Sequence, residues 1–195
     1  VVGRRTAAFD RAVIALFEPF ARFGVSLAAI GGYGRREMTP GSDLDLLLLY
    51  EPGMEGPVER AASGVLYPLW DAGVRASQAV RTLAECRTES SAGLQTLTAT
   101  LDARPLAGPA ERVDRARAAA IDVARSDQRG FVESLRASRA EREERFGSVG
   151  ERLDPNLKEG VGGLRDVQVL RWLRLGGVHG EATGADESAW GPRLL

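Results

Sequence analysis

The chain has 195 residues, enough for one substantial domain or for one domain and part of a second. Its 44% hydrophobic and 27% charged residues exclude a disordered chain, and a formal net charge of −1 provides no bulk field favouring nucleic acid or an acidic membrane. The longest apolar run, Leu44 to Tyr50 with Asp45 inside it, cannot span a bilayer; the charged N-terminal stretch is not a signal peptide, and a single cysteine, Cys86, forms no internal disulfide, so a cytoplasmic protein is expected.

In chain order, Phe9, Val13, Leu16, Phe17 and Phe20 recur at helical spacing and predict a first helix over 6–23, with Pro19 kinking it or marking its last turn. SLAAI (26–30) predicts a short strand running into Gly31-Gly32. A helical turn or loop, YGRREM, and the turn signal TPGS lead to a second strand, DLDLLLLY. Beyond Asp45 both faces of that strand are apolar, as in a central strand covered on each side. Residues 52–57 read as a surface loop and 58–73 as a helix ended by Gly73. A third strand is expected over 74–82. The segment 82–108 reads as one or two short helices and a final short strand near 99–106. Residues 109–146 then turn helical and highly charged, with Gly130 as the expected break between two helices. A Gly-rich loop, 154–166, precedes a last apolar helix from Val167, and the tail from His179 carries no clear pattern. The fold class is α+β: a small sheet with helices, residues 1–108, followed by a helical domain, 109–195.

The stretch GGYGRREMTPGSDLDLLLL (31–49) carries the chemistry. Asp43 and Asp45, two residues apart on a strand, point to the same side of the pleat. Carboxylates so close repel unless a positive charge lies between them. By itself D-L-D fits turn and capping residues as well as a metal site. Gly31-Gly32 supplies a backbone without Cβ atoms, which a phosphate can approach, and free N–H groups at the start of a helical turn favour an anion. A phosphate-binding turn and a pair of carboxylates on adjacent strand ends suit a metal–nucleoside triphosphate.

Gly-Gly followed about ten residues later by D-x-D on the next strand resembles the signature of the DNA polymerase β-like nucleotidyltransferase superfamily. The full string is similar to that of the bacterial PII-protein uridylyltransferases (GlnD-type, bifunctional uridylyl-removing enzymes). LWDAGVRASQAVRTLAEC, TATLDARPLAG and NLKEGVGGLRDVQVLRWL match the same family in order, so the resemblance covers roughly residues 25–175. It implies a small mixed sheet of polymerase β-like type followed by a helical domain. It also implies that Asp43 and Asp45 hold Mg²⁺, for which hard oxygen ligands are suited. Gly31, Gly32 and Ser42 would line the phosphates, with Arg35 as a further contact. Asp102 would be the third carboxylate, on a later strand. Lys158, the one lysine among 26 basic residues, and Arg165 of GGLRD would reach phosphate oxygens, while Asp166 would cap the helix after it. The implied partners are UTP or ATP and the PII signalling protein, whose tyrosine hydroxyl receives the nucleotide; nucleic acid and membrane are not expected.

Two positions depart from the family pattern. Gln78 stands where many members have histidine, and Arg36 where a small residue is common. The hydrolase and regulatory domains that continue full-length members do not fit in 195 residues with one histidine, and the chain begins without Met, so a fragment or a truncated gene product is expected. Two other readings stay open: a relative of the glutamine synthetase adenylyltransferases, and an inactive binding or regulatory module.

Overall fold

A computed structural model describes residues 2–150 and 153–178, so His179 and the tail after it lie outside the described residues. Helix α1, Val2–Phe17, continues into a 3-10 turn, Glu18–Phe23, with Pro19 in its first turn, where a missing N–H costs no helical bond. Strand β1, Ser26–Ala29, is followed by a single helical turn, α2, Gly31–Gly34, and by β2, Leu44–Leu49. Helix α3, Glu55–Asp71, begins three residues earlier than the loop reading allowed, because Pro57 lies in its first turn and does no harm there. Gly73 then takes φ +71 beyond its end, a left-handed conformation that suits glycine. Strand β3, Ala76–Arg81, helices α4, Leu83–Ala92, and α5, Leu94–Leu101, and strand β4, Arg104–Ala107, complete the α+β part.

The four strands lie in the order β3-β2-β1-β4. β1 pairs antiparallel with β2 and β4, whereas β2 pairs parallel with β3. β2 is thus interior, as its two apolar faces require. Leu44, Leu46 and Leu48 point to one side, into a core with Val13 and Phe17 of α1 and Val58, Ala61, Val65 and Leu69 of α3. Leu47 and Leu49 point to the other, against Cys86 of α4 and against Val113 and Ala116 of α6, Ala110–Ser126. Each leucine of β2 is at most 1% exposed. α4 starts on a capping box: Thr82 Oγ1 accepts from the Glu85 amide and Glu85 returns a carboxylate to the Thr82 amide.

Other boundaries also differ from the sequence reading: α1 begins at Val2 and α8 at Leu164, each a few residues early. α6 and α7, Gln128–Phe146, separate at Asp127, whose φ −135 and ψ 68 leave the helix, and not at Gly130, which lies inside the first turn of α7. The contacts divide the chain into Val1–Asp127 and Gln128–Leu195, later than the boundary after residue 108. The reason is that α6 places Val113 and Ala116 in the core of the sheet. The described part of the second unit comprises α7, an irregular Gly-rich segment closed by a bridge between Ser148 and Val161, and α8, Leu164–Leu175. Among the described residues no helix is long and apolar enough to cross a membrane.

Candidate active site

Strand β1 ends where β2 begins, since Ala29 pairs with Leu46 and the Ile30 amide donates to the Asp45 carbonyl over 3.0 Å. The chain then turns into α2 through Gly31, at φ +55. A Cβ at residue 31 would lie 3.4 Å from Asp45 Oδ2, so the glycine turn and the carboxylate are immediate neighbours. At Gly34 a Cβ would overlap the backbone carbonyl of Asp102, which makes glycine obligatory there. Arg36 takes φ +65, a conformation that ordinary side chains seldom adopt, at the position where the family pattern favours a small residue.

Asp43 and Asp45 flank the first residue of β2 and face the same way. Asp45 is in register with Ser77 of β3, whose hydroxyl donates to Asp45 Oδ1 over 2.8 Å. Arg75 Nε lies 2.7 Å from Asp43 Oδ1, and the same guanidinium donates to the Gly41 carbonyl. These side chains and Trp70 line one open cavity of about 490 Å³. The indole N–H of Trp70 is held by the Ala76 carbonyl at 3.0 Å. Arg75 thus supplies a positive charge to Asp43, while Asp45 has the Ser77 hydroxyl. Neither Arg75 nor Ser77 was singled out from the sequence. Their signal is the same i, i+2 alternation as in the aspartates, visible only once β2 and β3 are known to be parallel and in register.

The remaining expected site residues fall elsewhere. Asp102 is not on a strand; it ends α5, and its side chain is wholly buried against Arg35, with Arg35 Nη1 2.5 Å from Asp102 Oδ2. The Arg35 side chain is itself only 4% exposed and also reaches Glu37 Oε2 at 2.7 Å. Burial disfavours its charge, but Asp102 and Glu37 outweigh that effect and hold its pKa above the ordinary value. The Arg35 guanidinium thus lies against the glycine turn, 3.8 Å from where a Cβ at Gly32 would stand, and is engaged by Asp102 and Glu37. Ser42 closes the turn before β2: its hydroxyl accepts from the Thr39 amide at 3.0 Å. In the second unit, Lys158 is 66% exposed, while Arg165 binds Glu159 through two nitrogens, at 2.8 and 3.2 Å, and Gln168 Oε1 at 2.8 Å. Asp166 accepts from the Gly162 amide at 2.8 Å and from Arg142 at 3.0 Å, tying the loop to the start of α8. The phosphate roles of Lys158 and Arg165 rest on the resemblance alone.

Among the described residues no group of three or more His, Cys, Asp or Glu side chains could hold a metal ion. A divalent cation at this site would rest on Asp43, Asp45 and substrate oxygens. Mg²⁺ is commonly held in that way, by one or two carboxylates together with phosphates, so the donor set fits it.

Comparison with known proteins agrees with the motifs. Residues 130–176 match the family described as GlnD PII-uridylyltransferase. Over 150 residues the chain is 43% identical to the bifunctional uridylyltransferase/uridylyl-removing enzyme of Bordetella avium, which covers 77% of this chain and 17% of that protein. It is 41% identical over 156 residues to the enzyme of the same description from Xanthomonas campestris pv. campestris (strain 8004), again 17% of that protein. Against that of Stutzerimonas stutzeri it is 36% identical over 153 residues. The chain thus spans about a sixth of the length of these curated relatives. Across most of its own residues it is a homologue of the GlnD-type uridylyltransferases.

Proposed function

We propose, proceeding from this kinship with the GlnD-type uridylyltransferases, that the chain carries the nucleotidyl-transfer site of such an enzyme. It would transfer UMP from UTP, or AMP from ATP, to a tyrosine hydroxyl of a PII-type signalling protein. The observation that carries this reading is the contact between two motifs: the Gly31 turn leaves no side chain between its backbone and Asp45 Oδ2, 3.4 Å from the position a Cβ would take. Phosphates approaching the turn would meet the carboxylates at once.

Asp43 and Asp45 would hold Mg²⁺, which when bound neutralises charge on the triphosphate and on the departing pyrophosphate. The chain's own residues position the substrate. The amides of Gly31 and Gly32, in the single turn of α2 and without a side-chain cap, would donate to phosphate oxygens. Ser77 fixes the rotamer of Asp45, and Ser42 shapes the loop that presents Asp43. Arg35 and Asp102 act at one remove, by holding the turn in place. In the transfer, the tyrosine oxygen bonds to the α-phosphorus, the bond from that phosphorus to its bridging oxygen breaks, pyrophosphate leaves and the tyrosine proton passes to solvent.

The test is an intact-mass measurement on a purified PII-type protein incubated with this chain, Mg²⁺ and either UTP or ATP. A nucleotide-sized gain, lost when Asp45→Asn replaces the wild type, is the expected result and identifies the nucleotide. No gain with either nucleotide, while both proteins are folded, would favour an inactive binding module.

A further inference from the structure

Arg75 is a residue that the transfer reading leaves without a task. Its backbone is fixed, because its carbonyl accepts from the Leu44 amide at 2.9 Å at the start of the parallel β2–β3 pairing. Its side chain is held by contacts to Asp43 and to the Gly41 carbonyl, both exposed to water. Arg75 and Asp43 are 67% and 55% exposed, and an ion pair so open to water is weak and readily exchanged. Arg75 also lies two residues before Ser77, so one strand alternation supplies partners to both aspartates, a cation to Asp43 and a hydroxyl to Asp45.

We propose that Arg75 is an exchangeable counter-cation of the aspartate pair. It neutralises Asp43 while no divalent cation is bound, gives up that carboxylate when one binds, and then turns its guanidinium to the nucleotide phosphates in the same cavity. The proposal rests on the transfer reading above. Asp43 Oδ1 is engaged by Arg75 Nε, so a metal using that oxygen competes with the arginine. Once displaced, the guanidinium remains anchored at the cavity wall by its backbone. Its planar fork of donors matches phosphate oxygens better than an ammonium would. Arg75 therefore acts with opposite signs on the two ligands: against the free metal and in favour of the metal–nucleotide.

The experiment uses the full chain, with Mn²⁺ alone titrated by electron paramagnetic resonance and, separately, a non-hydrolysable UTP or ATP analogue titrated calorimetrically in saturating Mg²⁺. In Arg75→Gln the Mn²⁺ dissociation constant should fall about two- to fivefold, as expected for loss of an exposed competitor. The nucleotide dissociation constant should rise about tenfold, as expected for loss of a charge-assisted hydrogen bond. Arg75→Lys should lie between wild type and Arg75→Gln in both titrations. Unchanged or weaker Mn²⁺ binding in Arg75→Gln would overturn the exchange, and tighter metal with unchanged nucleotide would overturn the phosphate contact. If wild type and Asp45→Asn bind Mn²⁺ equally, the aspartate site itself fails, whatever Arg75 does.

Discussion

The two units of this chain, each taken by itself, are stabilised in different ways. In residues 1–127 the five leucines of β2 are buried on both faces of the sheet, between two apolar clusters. In the described part of the second unit, the buried residues of α7 and α8 are Phe131, Leu135 and Trp172 together with Arg142 and Gln168. There the Gly-rich loop is shaped by polar contacts. Arg142 donates to the Glu159 carbonyl and to Asp166, Arg165 clamps Glu159, and the Asn156 side chain accepts from the Lys158 and Glu159 amides. Gly160 and Gly163 pass so close to backbone carbonyls that a Cβ would lie 2.8 Å from the Asn156 oxygen and 2.6 Å from the Leu157 oxygen. The first unit thus depends on a non-directional force that tolerates repacking. The second depends on directional contacts that specify one loop shape and respond to pH and to single deletions.

The largest expected effect comes from a buried ion pair within the first unit. Arg35→Ala removes the guanidinium facing the wholly buried Asp102 carboxylate and should destabilise this unit by about 3–5 kcal/mol in urea unfolding. Labelling of Cys86, a core thiol whose pKa is pushed up to about 11 by burial, provides a local probe: it should be slow in the wild type and much faster in the variant. A loss under 1 kcal/mol would mean that apolar packing alone holds the turn.

A smaller effect is expected from Arg142→Ala. It removes charge-assisted bonds to Asp166 and to the Glu159 carbonyl, and should lower hydrogen-exchange protection of α8 by about 1.5–3 kcal/mol. Amides of β1 and β2 should keep their protection. Equal losses in both units would break the comparison, because the second unit would then not open on its own.

Acid should produce the smallest change. Burial raises the pKa of Glu159, but its hydrogen bond and charge pairing with Arg165 outweigh burial and leave the value below the ordinary 4.5. A depressed carboxylate contributes stability that is complete above its unfolded pKa and disappears as pH falls through the folded one. Protection of the 156–166 loop should therefore hold at pH 6 and decline below about 4, with the decline abolished in Glu159→Gln. A loop whose protection is flat down to pH 3 would rule out this contribution.

Local pattern made much of this legible. The apolar run from Leu44 to Leu49 could only be a covered strand, and the two-residue spacing placed Asp43 and Asp45 on one side of it. Gly31-Gly32 announced a turn that admits close approach, and Gly73 the end of α3. Other features depended on partners distant in sequence. Arg35 reads as an open phosphate contact until Asp102, 67 residues later, is found against it. Asp102 itself ends a helix where the segment was ambiguous between helix and strand. Gly130 is the stronger helix breaker by composition, yet the helices part at Asp127, and α6 belongs with the sheet because Val113 and Ala116 fill its core.

The sequence by itself determined the elements whose hydrophobic period or turn chemistry is local: α1, β1, β2, α3 and the paired aspartates, together with the family resemblance. Only the tertiary structure decided which charges meet. The parallel register of β2 and β3 brings Arg75 and Ser77 to Asp43 and Asp45, and the packing of α5 behind α2 buries Asp102 against Arg35. Period and propensity act between neighbours in the chain, whereas an ion pair depends on distances that exist only after strands and helices have packed.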